Sequence, residues 1–410
     1  MNSRIRFDRS DAAGIAPQTP YSLSEKINVC RGLFAFLVVS SHAWTMAHLI
    51  DRQWSTAPSF LRGAIDSVAG EGLYYMMGFF VVSGYCIQVS ARRLTSGGRF
   101  PLKTYMIARL TRILPLYYAA LLFAVVVESL VGAHRPPLWR SDVTGAAVLD
   151  QTLLIQGFTR TFGSFSASWS ITNECVYYLL FGLLAAATAA AKSRVRPSVV
   201  GLLVTIGLAA GCQILIRTSL NSPVVIRASM LFGLGTIWFL GAIVADYAPR
   251  LPLAPIARRA SACWPLILVL AMVMWYGQWG QQRNVYLTSG FAFTLMLIRF
   301  IVQEHDAGPA PKRRPRPYTE ALGLASYPTY LFHGPILQGL GATFDAAGVK
   351  AAWWLYWPLA TLLSVGCGWG VGLLIERPII AWRAGVLKRL NSTPAREPGS
   401  IAVPALGVPQ

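Results

Sequence analysis

The chain is 410 residues long, 54% hydrophobic and only 13% charged, and it carries a formal net charge of +19. Apolar runs at 33–41, 113–127, 266–276 and 355–375 are long or dense enough to cross a hydrocarbon layer, which excludes a soluble globular protein and points to an all-α, polytopic membrane helix bundle. The basic residues fall in short clusters between apolar segments rather than along one face, the pattern of the positive-inside rule and not of a nucleic-acid interface.

Residues 1–21 are polar, contain Pro and Gly and lack the apolar core of a signal peptide, so they read as a disordered cytosolic tail. The bundle, 22–390, is expected to hold about ten transmembrane helices: 27–50, 72–90, 112–131, 170–191, 198–216, 228–246, 262–279, 285–302, 321–341 and 353–376. In the first, RGLFAFLVVSSHAW places Arg31 and His42 on nearly the same face, roughly 16 Å apart along the axis. An ionisable side chain held in hydrocarbon is costly and marks a functional position with partners to be found. The second helix contains MMGFFVVSGYCI, where Phe79, Phe80, Ser83 and Gly84 include small residues suited to close helix packing.

The third helix is entered by ARLTRILPLYY, with Arg109 and Arg112 one turn apart and Pro115 within the next turn. Positive-inside anchoring accounts for such a pair. A phosphate clamp is the alternative, because Arg31, Arg109 and Arg112 would share one depth near helix N-termini. The stretch 132–169 is too long for a turn, and its apolar piece AAVLDQTLLIQGF leaves an additional span over 145–158 open. The fourth helix opens with ASWSITNECVYYLL, where Ser170, Glu174 and Tyr178 form one polar stripe. In the ninth, LGLASYPTYLFHGP aligns Ser326, Tyr330 and His333, and Pro328 and Pro335 free carbonyls that such side chains can satisfy. The tenth closes with GLLIERPII, where Glu376 is a candidate partner for one of the arginines. Residues 391–410, rich in Pro, Gly and Ser, read as a second disordered cytosolic tail.

Cations occupy alternate connections (Arg92 to Arg112, Lys192 to Arg196, Arg250 to Arg259, Lys312 to Arg316, Arg383 to Arg389), which sets both termini in the cytoplasm. The six cysteines are scattered singly with no metal-ligand spacing, so no metal is expected. Trp139, Trp169, Trp275, Trp279, Trp353, Trp354 and Trp357 fall near span ends and read as interfacial belts. His42, rising from inside, and Glu174, descending from outside, reach similar depths and could meet. A carboxylate there would fix the imidazole tautomer and raise its basicity. The alternative, structural glue between helices, stays open for both residues and for His333.

Taken in order, CRGLFAFLVVSSHAW, GFFVVSGYCI, RLTRILPLYY, SWSITNECVYYLL, LASYPTYLFHGPIL and IERP resemble the membrane acyltransferase 3 family over roughly 22–390. Its members acylate surface glycans and small molecules. The resemblance matches the family's arginine and histidine motif to Arg31 and His42, its tryptophan, serine and glutamate block to Trp169, Ser170 and Glu174, its arginine pair to Arg109 and Arg112, and its late tyrosine and histidine to Tyr330 and His333. Where the family commonly has a second acid this chain has Cys175, so the acid role falls to Glu174 alone. Some relatives carry an esterase-like domain; none is expected here, and the resemblance then implies that the chain acts alone or with a separate periplasmic partner.

The resemblance implies a multi-pass O-acyltransferase of the bacterial inner membrane, an O-acetyltransferase by preference, moving an acyl group from cytosolic acyl-CoA to a hydroxyl of a glycan. His42 and Glu174 are then the expected catalytic residues, and Arg31, Arg109 and Arg112 the donor-binding ones. Trp169, Ser170, Ser326, Tyr330 and His333 are expected to meet the substrate or its oxyanion. The competing reading is a transporter or exporter of a lipid-linked glycan that uses an intramembrane His and Glu relay.

Overall fold

The structure is a computed structural model that describes residues 21–50, 59–95, 98–134, 143–218, 222–308, 316–349 and 352–392. The expected tails, 1–21 and 391–410, lie outside the described residues except for Tyr21 and the last turn of the final helix. Trp139 also lies outside them. The described residues are helical, with no strand. In chain order the helices are α1 (Tyr21–Ile50), α2 (Ser59–Ala69), α3 (Leu73–Leu94), α4 (Leu102–Val131), α5 (Gly145–Thr152), α6 (Trp169–Ala190), α7 (Pro197–Arg217), α8 (Pro223–Tyr247), α9 (Pro255–Ala262), α10 (Trp264–Tyr276), α11 (Gln282–Asp306), α12 (Pro317–Ala346), α13 (Trp353–Val371) and α14 (Arg377–Ser392).

Among the described residues, eight helices are long and apolar enough to cross a membrane, and a ninth results if α9 and α10 are one span bent by 47°. The ten-span expectation is reached only by adding α12. That helix has 30 residues, enough for roughly 45 Å, but it is too polar to stand among the apolar spans. Its polar residues do not face lipid. Ser326, Tyr330, His333 and Gln338 are all buried, and α12 packs against α1, α4 and α13. Hydrocarbon supplies no hydrogen bonds, so a helix with this composition must be enclosed by its neighbours.

One open question is answered and one expectation is corrected. The 145–158 segment is not a span: α5 has eight residues, about 12 Å, and a 3-10 turn at Gly163–Ser168 leads into α6. This segment is polar inside rather than apolar. Tyr117 donates to the side chain of Gln151 at 2.7 Å, and Gln156 donates to Ser168 O at 3.0 Å. Second, α4 begins at Leu102 and α1 at Tyr21, so Arg112 and Arg31 sit about three turns inside their helices. The positive end of a helix dipole acts within its first turn, and it does not reach them.

Close packing follows the small residues of α3 and α8. A Cβ at Gly84 would overlap the carbonyl oxygen of Trp238, and one at Gly241 would overlap that of Val81. The two backbones touch through a reciprocal pair of glycines, a membrane-helix contact driven by van der Waals packing. At one end of this pair Asp246, buried on α8, accepts from Arg92 at 2.6 Å, Arg196 at 2.9 Å and Gln88 at 2.6 Å, and also from Ser198. One carboxylate thereby ties α3, α7 and α8 together.

Two outcomes are expected. Gly84→Val should lower stability by about 1–3 kcal/mol through overpacking, seen as a lower melting temperature in detergent. Gly207→Val, with open space where its Cβ would go, should not. Asp246→Ala should also lower stability, by about 1–3 kcal/mol, because Arg196, Gln88 and Ser198 lose their shared carboxylate and Arg92 keeps only the backbone oxygens of residues 245 and 246. The measurement is the fraction of folded protein recovered after heating.

Candidate active site

Two cavities among the described residues meet at the polar stripes of α1, α4, α6 and α12. The first, about 230 Å³, opens near the Arg31 end of α1 and is lined by Arg31, Arg109 and Arg112 together with Ser83, Cys86, Ser170, Glu174, Tyr178, Ser326 and Tyr327. The second, about 400 Å³, lies near the His42 end and is lined by His42, Glu71, Gln156, Trp169, Asn173 and Arg227. Met76 and Tyr330 line both cavities and form the partition between them.

In the first cavity three arginines from two helices converge, as the shared depth of Arg31, Arg109 and Arg112 implied. Arg112 meets Glu376 at 3.4 Å, the partnership expected for that acid. Glu376 reaches it from a π-helical turn, Gly372–Glu376, between α13 and α14. The turn adds one residue to the local repeat and rotates the glutamate into the protein. Arg109 donates to Ser90 at 2.7 Å and its guanidinium lies over the Tyr105 ring, 5.5 Å from the centroid. Its Nε and the second oxygen of Glu376 are buried without a hydrogen-bond partner.

Glu174 belongs to this cavity and not to His42. Ser83 donates to its carboxylate at 2.6 Å, while Trp238 donates to Ser83 at 3.1 Å. The Ser83 hydroxyl also lies 3.3 Å from that of Tyr178. Ser83, read from the sequence only as a small packing residue, is therefore the immediate partner of the acid. The expected His42 and Glu174 pair is replaced by a pair of histidines: His42 Nδ1 lies 2.7 Å from His333 Nε2, with the rings stacked at 5.0 Å between centroids. Depth alone suggested the first pairing. The rotation of α1 places His42 against α12, not α6.

Tyr330 holds the partition in place. Its hydroxyl donates to the carbonyl of Ala167 at 2.6 Å, so the Ser170 hydroxyl, 2.8 Å away, must be the donor in their mutual bond. With its only proton engaged, this hydroxyl is not available to an oxyanion, and that expected role is withdrawn for Tyr330. Ser326 donates back to Gly323 O at 2.8 Å while lining the first cavity. Trp169 lines the second cavity, so it is not a lipid-facing belt residue. Trp357 likewise turns inward and donates to Ser40 O at 2.9 Å, whereas Trp279 and Trp354 remain exposed as expected of belts.

Sequence reasoning passed over Glu71, Asn173, Gln156 and Arg227 in the second cavity and Cys86 in the first. Glu71 carried a usable signal, an acid flanked by Gly70 and Gly72 within an otherwise apolar segment. It sits in the break between α2 and α3 and accepts from the amide of Leu73 at 3.0 Å. The others carry no local pattern that separates them from ordinary helix-packing polar residues.

A family model described as an acyltransferase domain, acyltransferase 3, matches residues 24–373. The chain belongs to the acyltransferase 3 family. It is a multi-pass membrane acyltransferase, and nothing in this finding favours the transporter reading. Neither the curated proteins nor the solved structures contain a match.

In this acyltransferase Tyr330→Phe should keep the ring as partition but leave the Ala167 carbonyl and the Ser170 hydroxyl only their long mutual contact of 3.4 Å. The expected cost is about 1 kcal/mol, measured by thermal unfolding beside the wild-type protein.

Proposed function

We propose that this acyltransferase moves an acyl group, acetyl by preference, from cytosolic acyl-CoA to a hydroxyl of a surface or exported glycan at the bacterial inner membrane. The observation that carries the reading is the pair of neighbouring cavities, one lined by three arginines and the other by His42, with Tyr330 and Met76 bordering both. The clustering of cations between alternate spans supports placing the arginine cavity and both termini on the cytoplasmic side.

On this reading Arg31, Arg109 and Arg112 bind the anionic phosphates of the donor, and Glu174 and Glu376 balance their charge. The thioester end points toward Tyr330. The acceptor enters the other cavity, where Trp169 offers an apolar face and Gln156, Asn173, Glu71 and Arg227 offer polar contacts of the kind that orient a saccharide. His42 acts as general base. It takes the proton as the acceptor oxygen bonds to the acyl carbon, the carbon–sulfur bond breaks, and the CoA thiolate recovers the proton from His42. No covalent acyl-enzyme is required, although His42 is itself a competent acyl acceptor.

The reading is tested by the mass of surface polysaccharide and lipid-linked glycan from cells carrying wild type, His42→Ala or neither. The expected result is an acyl-sized increment with wild type alone and equal amounts of glycan in all three. Glycan whose amount, rather than mass, follows the protein would overturn the proposal in favour of transport. A second expectation concerns the donor. In a variant retaining only Cys86 among the cysteines, acyl-CoA should slow modification of this thiol by a thiol reagent added from the cytoplasmic side. Neutralising both Arg109 and Arg112 should remove the protection.

A further inference from the structure

His333 is buried, with 1% of its surface exposed, and it meets His42 while lining neither of the two cavities described above. The hydrogen bonds around it determine where the protons lie. His333 Nδ1 is 2.6 Å from the backbone oxygen of Tyr330. A carbonyl oxygen only accepts, so His333 Nδ1 must carry a hydrogen. In a neutral imidazole the other nitrogen is then bare, and His333 Nε2 is an acceptor. The contact of 2.7 Å with His42 therefore requires His42 Nδ1 to be the donor. This leaves His42 Nε2 as the unprotonated nitrogen. The opposite assignment would make His333 an imidazolium buried without a carboxylate partner, and an unpaired buried charge is far more costly than a neutral hydrogen bond.

We infer that His333 is a positioning residue that holds His42 in the tautomer whose Nε2 is free to accept the acceptor's proton, and that Tyr330 O, His333 and His42 form a directed chain. This rests on the reading of His42 as general base. The chain does the work that a carboxylate does in acid, histidine and nucleophile triads. It fixes the ring and the tautomer, and it spreads the charge that develops when Nε2 is protonated, because the Nδ1 proton can move toward His333 Nε2 while the Tyr330 carbonyl dipole faces His333 Nδ1. The prolines of α12 do not create this chain, since the carbonyl freed by Pro335 is that of Leu331, four residues back. Residues 42 and 333 are joined because α1 lies along α12.

Two variants separate positioning from mere packing. His333→Leu fills the space but offers no acceptor. His333→Gln offers an amide oxygen near the position of Nε2. Nitrogen NMR of the full-length protein in micelles, labelled at its five histidines and assigned with His42→Ala, reads the tautomer of His42 directly and needs no turnover. The expected spectrum shows His42 with a protonated Nδ1 and a bare Nε2 in wild type and in His333→Gln, and a mixture of tautomers in His333→Leu. In acyl transfer, His333→Leu should lower kcat by roughly a hundredfold or more, the usual weight of general-base catalysis, with KM for acyl-CoA unchanged and His333→Gln within about tenfold of wild type. A wild-type His42 protonated on Nε2, or a His333→Leu protein that keeps the wild-type tautomer, would overturn the inference. Loss of acyl transfer in every protein, wild type included, would instead remove the proposed reaction while the spectrum still decided the tautomer.

Discussion

A polar side chain inside hydrocarbon has no water to turn to, so it must find another protein group, and the whole arrangement depends on meeting that constraint around α12. This helix is interrupted by Pro328 and Pro335 and carries serine, tyrosine, histidine and glutamine on faces that lipid would reject. It is therefore enclosed by α1, α4 and α13, and the apolar helices take the lipid contact, with residues such as Leu122, Leu130, Leu203, Leu266 and Leu362 facing outward. Both cavities are bordered by this helix, through Ser326, Tyr327 and Tyr330 in the first and Tyr330 in the second.

Tyr330 shows how one residue on that helix serves both fold and site. Its hydroxyl locks α12 to the turn before α6 through Ala167 and Ser170, its ring separates the two cavities, and its backbone oxygen receives the Nδ1 proton of His333. The arginines of the first cavity meet the same constraint differently. Arg112 is held by Glu376, and Arg109 by Ser90 and the Tyr105 ring, while all three line the cavity.

Charge is also used purely for assembly. Asp246 gathers Arg92, Arg196, Gln88 and Ser198 where α3, α7 and α8 meet, at the opposite end of α3 from the Glu71 break. Such a buried ion pair contributes little net stability against an apolar replacement, but removing one partner is destabilising, which gives the contact its specificity. The reciprocal glycines at 84 and 241 bring α3 and α8 close enough for Trp238 to reach Ser83, and through Ser83 the carboxylate of Glu174.

The amino-acid sequence by itself determined the class of the fold, ten of the fourteen described helices and the composition of each polar stripe, because these follow from hydrophobicity and the 3.6-residue repeat, which are local properties. It placed Arg31, Arg109 and Arg112 at one depth and paired Glu376 with an arginine, since depth along a crossing helix is counted directly in residues. Which stripe faces which was decided only by the tertiary structure. The azimuth of α1 about its axis sends His42 to His333, 291 positions away, rather than to Glu174, and a π-helical turn that no residue pattern announces swings Glu376 inward. Rotation about a helix axis is set by the packing of all neighbours together, and no local rule fixes it.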